Sequence, residues 1–385
     1  MEGGQMNTKS HDQREAEQLA ILRTLLPTDT VMNGLSDLSS LPVLRKDALL
    51  KAQSTTPPFG AIKTRNVANI YQSPGPIYEP GGSSPDWWRF GRFLAAMGLG
   101  QDDIVQNTFA YHFTPAGAMF ESAAKAVGAT VFPAGPGQTR QQAEVAAAIG
   151  TTTYAGTPDY LGAILAKGDE LGLDLSRINK AAVSAGPLFP QLRAAYLDRG
   201  ITCRQCYGTA DVGLIAYETA DCIDGMFIDD GVIVEIVTPG TGTPVPHGEI
   251  GEVLVTVLNP DYPLIRFSVG DLSAIMPDAG PVKRIVGWRG RADQAAKVKG
   301  MFIRPEQVAE LITRHPEINR ARVEINFDGK ADQIEIKLET DNADTSAYTA
   351  SVAEILKLRA NIITVDKGAL PRDGVVISDQ RPIVS

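Results

Sequence analysis

Ile201-Thr202-Cys203-Arg204-Gln205-Cys206-Tyr207-Gly208-Thr209-Ala210-Asp211 is the stretch whose reading decides the fold. A run opening on Ile201 ends in a glycine turn and then a carboxylate. A strand that stops in this way sets an acidic side chain at the carboxyl edge of a sheet, where open α/β folds bind their ligands. The same residues also suit an ordinary strand-to-helix turn with Asp211 as a helix N-cap. Working outward, residues 88–97, 116–127, 139–149, 160–166 and 188–198 carry helical patterns. Residues 103–107, 130–132, 152–155 and 181–184 lie among them as short buried strands. Helices alternating with buried strands predict an α/β fold with a largely parallel sheet.

The pattern changes on both sides of this block. Residues 12–26 predict a helix stopped by Pro27, residues 45–52 a second short helix, and residues 55–58 a turn. Over 225–257 the period becomes 2, with turns at 239–242 and 247–251, so antiparallel pairing is expected there. Beyond Gly290 come a helix at 305–314 opened by proline, strands at 320–327 and 333–339, a helix at 346–359 and a strand at 362–365. This βαββαβ-like tail predicts a separate small α+β domain. The expected division is a large N-terminal domain of mixed and parallel sheets, 1–290, and a mobile C-terminal domain, 291–385.

Composition narrows the function. The chain has 385 residues, 43% of them hydrophobic, enough for a large core. Its 36 Lys and Arg against 45 Asp and Glu give a net charge of -9, which argues against binding nucleic acid or an anionic membrane surface. No apolar stretch reaches the roughly 20 residues a membrane span requires, and the first twenty residues lack the apolar centre of a signal peptide. Three cysteines fit a reducing compartment, so a cytoplasmic location is expected. Cys203-Arg204-Gln205-Cys206 matches C-x-x-C, but strand residues three apart face opposite sides, so no shared metal is expected.

Two further segments carry candidate chemistry. In Pro263-Leu264-Ile265-Arg266-Phe267-Ser268-Val269-Gly270-Asp271 an arginine and an aspartate flank a bend. They suit a ribose diol and a phosphate, or an ion pair closing a turn. Gly290-Arg291-Ala292-Asp293, followed by Lys297-Val298-Lys299-Gly300 and then Pro305-Glu306, suits a hinge followed by a helix start.

In their order and spacing the three segments resemble the adenylate-forming superfamily, and within it the phenylacetate–CoA ligase family. Leu41-Pro42 with residues 45–50, residues 103–117 and 128–131, Gly137-Gln138-Thr139, Ala155-Gly156-Thr157-Pro158-Asp159-Tyr160, Ala185-Gly186-Pro187, Glu249-Ile250-Gly251-Glu252 and Leu370-Pro371-Arg372 extend the likeness. The resemblance implies a two-step ligase that joins a small carboxylic acid to coenzyme A through an acyl-adenylate, using ATP, AMP and Mg2+. It implies that Ala185, Gly186 and Pro187 wall the adenine, and that Tyr207, Gly208 and Thr209 line the α-phosphate. Thr209 would be the hydroxyl donor, Asp211 the metal ligand, Asp271 the acceptor for the ribose hydroxyls and Arg291 a phosphate contact. Lys297 would approach the cofactor, Asp293 would be the pivot of the mobile domain, and Tyr111, His112, Phe113 and Pro115 would lie near the acyl pocket. A homodimer is compatible with the resemblance.

The sequence departs from the family at three places. Where a Ser/Thr/Gly-rich loop ending in Lys cradles phosphates, this chain has Ile70-Tyr71-Gln72-Ser73-Pro74-Gly75-Pro76-Ile77-Tyr78-Glu79-Pro80. Its prolines donate no N–H, no lysine is present, and Glu79 would repel a triphosphate. After Leu370-Pro371-Arg372 the expected Gly-Lys is Gly374-Val375, and the family's metal-binding Glu is the shorter Asp211. Each lost donor costs about 3–4 kcal/mol of transition-state stabilisation. Three functions therefore compete: a ligase in which Lys297, Lys299 or Lys367 substitutes, a degenerate regulatory or scaffolding relative binding AMP or acyl-CoA, and an acyl transferase working on a preformed activated acyl group.

Overall fold

The protein, seen in a computed structural model, is described over residues 9–73, 77–186, 188–220, 222–277, 282–292, 296–298, 301–327, 332–371 and 375–381. It divides into two compact units. The first comprises Met1–Glu249, Val253–Val269 and Ala274–Gly287, and the second Ile250–Glu252, Gly270–Ser273 and Trp288–Ser385.

The first unit opens with helix α1 (His11–Leu25), started by a capping box between Ser10 and Gln13 and ended just before Pro27. Helix α2 (Lys46–Thr55) follows. Residues 70–80 belong to an antiparallel hairpin of β1 (Val67–Gln72) and β2 (Tyr78–Gly82), with Tyr71 opposite Glu79. The three prolines discourage a strand by sequence alone. Pro80 nevertheless lies in β2, opposite Ile70, while Pro74 and Pro76 lie outside the described residues. Helix α3 (Phe90–Ala96) then leads into the alternating block: β3 (Ile104–Asn107), α4 (Ala116–Ala126), β4 (Thr130–Pro133), α5 (Thr139–Ile149), β5 (Thr153–Gly156), α6 (Pro158–Leu171), β6 (Lys180–Val183), α7 (Pro190–Asp198) and β7 (Thr202–Thr209). Gly150 and Gly172 end α5 and α6 in the left-handed conformation.

Those strands run parallel in the order β4-β3-β5-β6-β7. The sheet continues antiparallel through β8 (Gly213–Thr219), β9 (Cys222–Ile228) and β13 (Arg284–Ile285). Asp211 therefore sits in the turn of a β7–β8 hairpin and caps no helix. Helices on both faces make the central strands apolar on both sides. Tyr154, Ala181, Val183 and Cys203 enter one core, while Ala155, Ala182 and Cys206 enter the other. The two cysteines of the C-x-x-C are thus buried on opposite faces of β7, and no group of three or more metal-ligating side chains exists among the described residues. Strands β10 (Val232–Val237), β11 (Gly251–Val257) and β12 (Phe267–Ser273) form a three-stranded sheet.

The second unit contains the hairpin β14 (Ala296–Val298) and β15 (Met301–Ile303), α8 (Pro305–Arg314), β16 (Arg320–Phe327), β17 (Asp332–Glu339), α9 (Ser346–Leu356), β18 (Asn361–Val365) and β19 (Ile377–Asp379). Its sheet has the order β18-β17-β16-β19, antiparallel only between β16 and β17. Val323 and Ile325 pair with Ile336 and Ile334 and face a core shared with Leu311 and Val352. Helix α9 stops three residues before the expected end because Lys357 turns left-handed, φ 56°. Among the described residues no helix is long and apolar enough to cross a membrane.

Arg266 differs from its expected role. It is 2% exposed, and its guanidinium donates to both Glu235 oxygens at 2.9 and 3.0 Å. It also donates to the carbonyls of Leu41 and Gly242 at 2.5 and 2.7 Å. Five fixed donors suit the convergence of a carboxylate and backbone carbonyls, so this arginine ties the chain before α2 to the sheet and is not available for a phosphate. Arg266→Ala strands Glu235 in the interior and should destabilise the protein by about 3–5 kcal/mol, read as a lower urea midpoint at constant slope. A loss below about 1 kcal/mol would show that the pair behaves as a surface contact.

Candidate active site

The parallel strands set the geometry. β4 lies on one side of β3 and β5 on the other, so the strand order reverses between β3 and β5, the point at which a crevice opens at the carboxyl ends. Asn107, the last residue of β3, donates through Nδ2 to the Tyr111 hydroxyl and the Gly117 carbonyl, both at 2.8 Å. Tyr111 is half-buried and Pro115 buried, whereas His112 and Phe113 are exposed, Phe113 by 77%. Phe113 therefore lies at an open edge after β3. Ala185, exposed with φ 60°, and Gly186 follow β6 at the same edge. The Ser184 hydroxyl donates to the Cys206 carbonyl at 3.0 Å and joins this segment to the end of β7. Pro187 lies outside the described residues.

The β7–β8 turn holds the charged part of the site. A Cβ on Gly208 would come within 2.7 Å of both the Gly213 carbonyl and the Phe90 ring, so only glycine fits beside Tyr207. Beyond the bulge at Tyr207 and Gly208 the chain delivers Thr209 and then Asp211, which is 7% exposed. Lys46, the first residue of α2, brings Nζ to 3.1 Å from Asp211 Oδ2. From β2, Glu79 is 1% exposed and accepts the Ser73 hydroxyl at 2.5 Å. Its burial, with the neighbouring Asp211 charge, raises the Glu79 carboxyl from 4.5 to about 8. Burial, then Asp211 and Glu79, push the Tyr262 phenol upward as well. Four buried atoms of this cluster have no hydrogen-bond partner: Thr209 Oγ1, Asp211 Oδ1, Glu79 Oε2 and the Tyr262 hydroxyl. Unpaired oxygens of this kind, gathered in one place, are the chemistry of a site that takes a polar ligand.

In the second unit, Asp271 accepts at Oδ1 from Trp288 Nε1 and from Arg291 Nη1, each at 3.2 Å. Gly270, at φ 78°, lets Arg291 approach, because a Cβ there would meet Nη2 at 2.8 Å. Lys297 lies in β14. Asp293, Lys299 and Gly374 lie outside the described residues.

A family model described as AMP-binding enzyme matches residues 88–257. A phenylacetate–coenzyme A ligase of Escherichia coli (strain K12) is 28% identical over 368 residues, covering 88% of this chain and 83% of that protein. A phenylacetate–coenzyme A ligase of Aromatoleum evansii is 28% identical over 326 residues, 80% of this chain and 73% of its own. Over residues 88–257 the chain is similar to AMP-binding enzymes, and over most of its length to phenylacetate–coenzyme A ligases. Solved structures agree on the fold: an open conformation of 2-hydroxyisobutyryl-CoA ligase in complex with 2-HIB-AMP and CoA has a TM-score of 0.74 at 19% identity, over 98% of this chain and 96% of that one. The anthranilate CoA ligase AuaEII in complex with anthranoyl-AMP has a TM-score of 0.61 at 20% identity, over 80% and 65%.

Two members of this candidate site, Lys46 and Tyr262, are not singled out by the sequence, and a third, Glu79, is read there in another orientation. Lys46 carried one signal: a cation in the first turn of a helix opposes the macrodipole, so its charge is wanted elsewhere. Glu79 was taken for a charge facing the ligand, whereas it turns inward, held by Ser73. Tyr262 left no trace. The state of Glu79 is measurable. Between pH 4.5 and about 8 the folded protein holds a proton that the unfolded chain releases, so stability falls as pH rises through that window and levels off above it. Urea melts from acid to alkaline pH should show Glu79→Gln flattening this slope, by up to about 1.4 kcal/mol per pH unit. Parallel curves for wild type and variant would mean that Glu79 is solvated and ionised.

Proposed function

We propose that the protein is an acid–thiol ligase that activates an aryl or arylacetic acid, phenylacetate or a near relative, as its acyl-adenylate and passes the acyl group to coenzyme A. In the first step a carboxylate oxygen of the acid attacks the α-phosphorus of ATP and pyrophosphate leaves. In the second the coenzyme A thiolate attacks the acyl carbonyl and AMP leaves with the bond electrons. The observation that carries the reading is the turn at 207–211, which points Thr209 and Asp211 from the carboxyl edge of the parallel sheet beside a lysine.

Most of the work in phosphoryl and adenylyl chemistry is positioning and charge neutralisation. Lys46 supplies an ammonium within the first unit, so a cation is available although the phosphate loop and the C-terminal motif lack theirs. The Thr209 hydroxyl, buried and unpartnered, is free to donate to a phosphate or carbonyl oxygen. Glu79 adds little repulsion near neutral pH, because burial keeps its carboxyl protonated. Asp271 and Arg291 take the ribose hydroxyls and a phosphate oxygen. A divalent cation would find one hard oxygen here, Asp211 Oδ1, which is buried and has no hydrogen-bond partner. Asp211 would hold that ion, which supplies charge neutralisation at the phosphates. With three free cysteines, two of them buried, the protein suits a reducing cytoplasm.

Exchange of labelled pyrophosphate into ATP with a panel of aryl and arylacetic acids tests the reading. At least one acid should support exchange, and Lys46→Ala should reduce the rate by about 10²–10³ while the protein stays folded. Absence of exchange with every acid would overturn the ligase. Acyl transfer from a synthetic acyl-adenylate to coenzyme A would then leave the transferase, and AMP binding alone the regulatory protein.

A further inference from the structure

The chain has three tryptophans. Trp87 and Trp88 are buried in the first unit at 7% and 6% exposure, but Trp288 of the second unit is 48% exposed. An indole this open leaves half its surface in water while its N–H is engaged. That N–H meets the same Asp271 oxygen that receives Arg291. The backbone holds the three residues in place. The Leu272 amide donates to the Gly290 carbonyl and the Arg289 amide to the Leu272 carbonyl, both at 2.8 Å, and Asp271 bridges Arg291 across this ladder.

Two donors on one oxygen fix the plane of the carboxylate and hence the direction of the other oxygen. The donors differ in what else they can do. A guanidinium is drawn to any phosphate that comes within reach, and turning toward one loosens its hold on Asp271. The neutral indole N–H has no such competitor.

We propose that Trp288 is a positioning residue for nucleotide recognition. Its N–H keeps the Asp271 carboxylate oriented toward a ribose diol when Arg291 turns to the phosphate, and so confers preference for ribonucleotides over deoxyribonucleotides. This rests on the assignment of Asp271 to the ribose under the function proposed above.

The experiment uses the full chain and AMP, 2′-deoxy-AMP and 3′-deoxy-AMP as calorimetric probes, with Trp288→Phe, Trp288→His and Asp271→Asn beside the wild type. The wild type should prefer AMP by about tenfold or more, since a diol site rejects an analogue that leaves its acceptor unpaired. Trp288→Phe, which keeps an aromatic ring and loses the donor, should weaken AMP about five- to tenfold and leave the deoxynucleotides nearly unchanged. Its loss should fall on KM for ATP and spare kcat, and Trp288→His, with a ring N–H, should recover part of the preference. AMP should also shift the red edge of the fluorescence, which comes from the exposed Trp288, and that response should vanish in Trp288→Phe. Undiminished discrimination in Trp288→Phe overturns the proposal while leaving the ligase in place. A wild type that binds AMP but is insensitive to Asp271→Asn removes the ribose assignment and the proposal with it, and a wild type that binds no AMP removes the nucleotide reading altogether.

Discussion

A carboxylate set among the closed ends of apolar strands must be given a counter-charge, because an isolated buried anion costs more than packing can return. Asp211 meets that requirement through Lys46, which enters from the start of α2, far away in sequence. One ion pair thus explains why the N-terminal segment lies against the β7–β8 turn. Glu79 cannot be ionised at the same time without a second counter-charge, and it keeps its proton instead. Arg266 repeats the principle one step earlier in the chain, where a buried guanidinium satisfies Glu235 and the carbonyls that precede α2.

The stretch 70–80, which carries no lysine, takes a different part. In a cradle of backbone amides, charge is neutralised by many weak donors held by one loop. Here Ser73, just after β1, serves the interior by donating its hydroxyl to Glu79 of β2. At the β7–β8 turn the ammonium of Lys46 faces Asp211, beside buried oxygens that have no hydrogen-bond partner. Such a site depends more on the exact placement of a few groups, and the close packing around Gly208 supplies that placement.

How much could be read beforehand follows from the range of each interaction. The alternating block was legible because its period and its glycine stops are local, and the helices and strands between residues 88 and 209 fall within a few residues of expectation. The hairpin at 67–82 was not, since its pairing overrides the local bias of its prolines. The strand after Asp211 was also missed, because a glycine turn precedes a helix and a strand equally well. Among site residues, Thr209, Asp211, Asp271 and Arg291 sit in recognisable local motifs, whereas Glu79 and Tyr262 acquire meaning only from partners distant in the chain.

By itself the sequence determined the class of fold, the position of a carboxylate at the end of a strand, and the lack of lysine in the stretch 70–80, for these depend on residue type and near neighbours. Tertiary structure alone decided which cation faces Asp211, that Glu79 is buried and neutral, that Arg266 is structural, and that Trp288 touches Asp271. Those outcomes are set by long-range approach and by the loss of water around charged groups, and neither quantity is written in any short stretch of the chain.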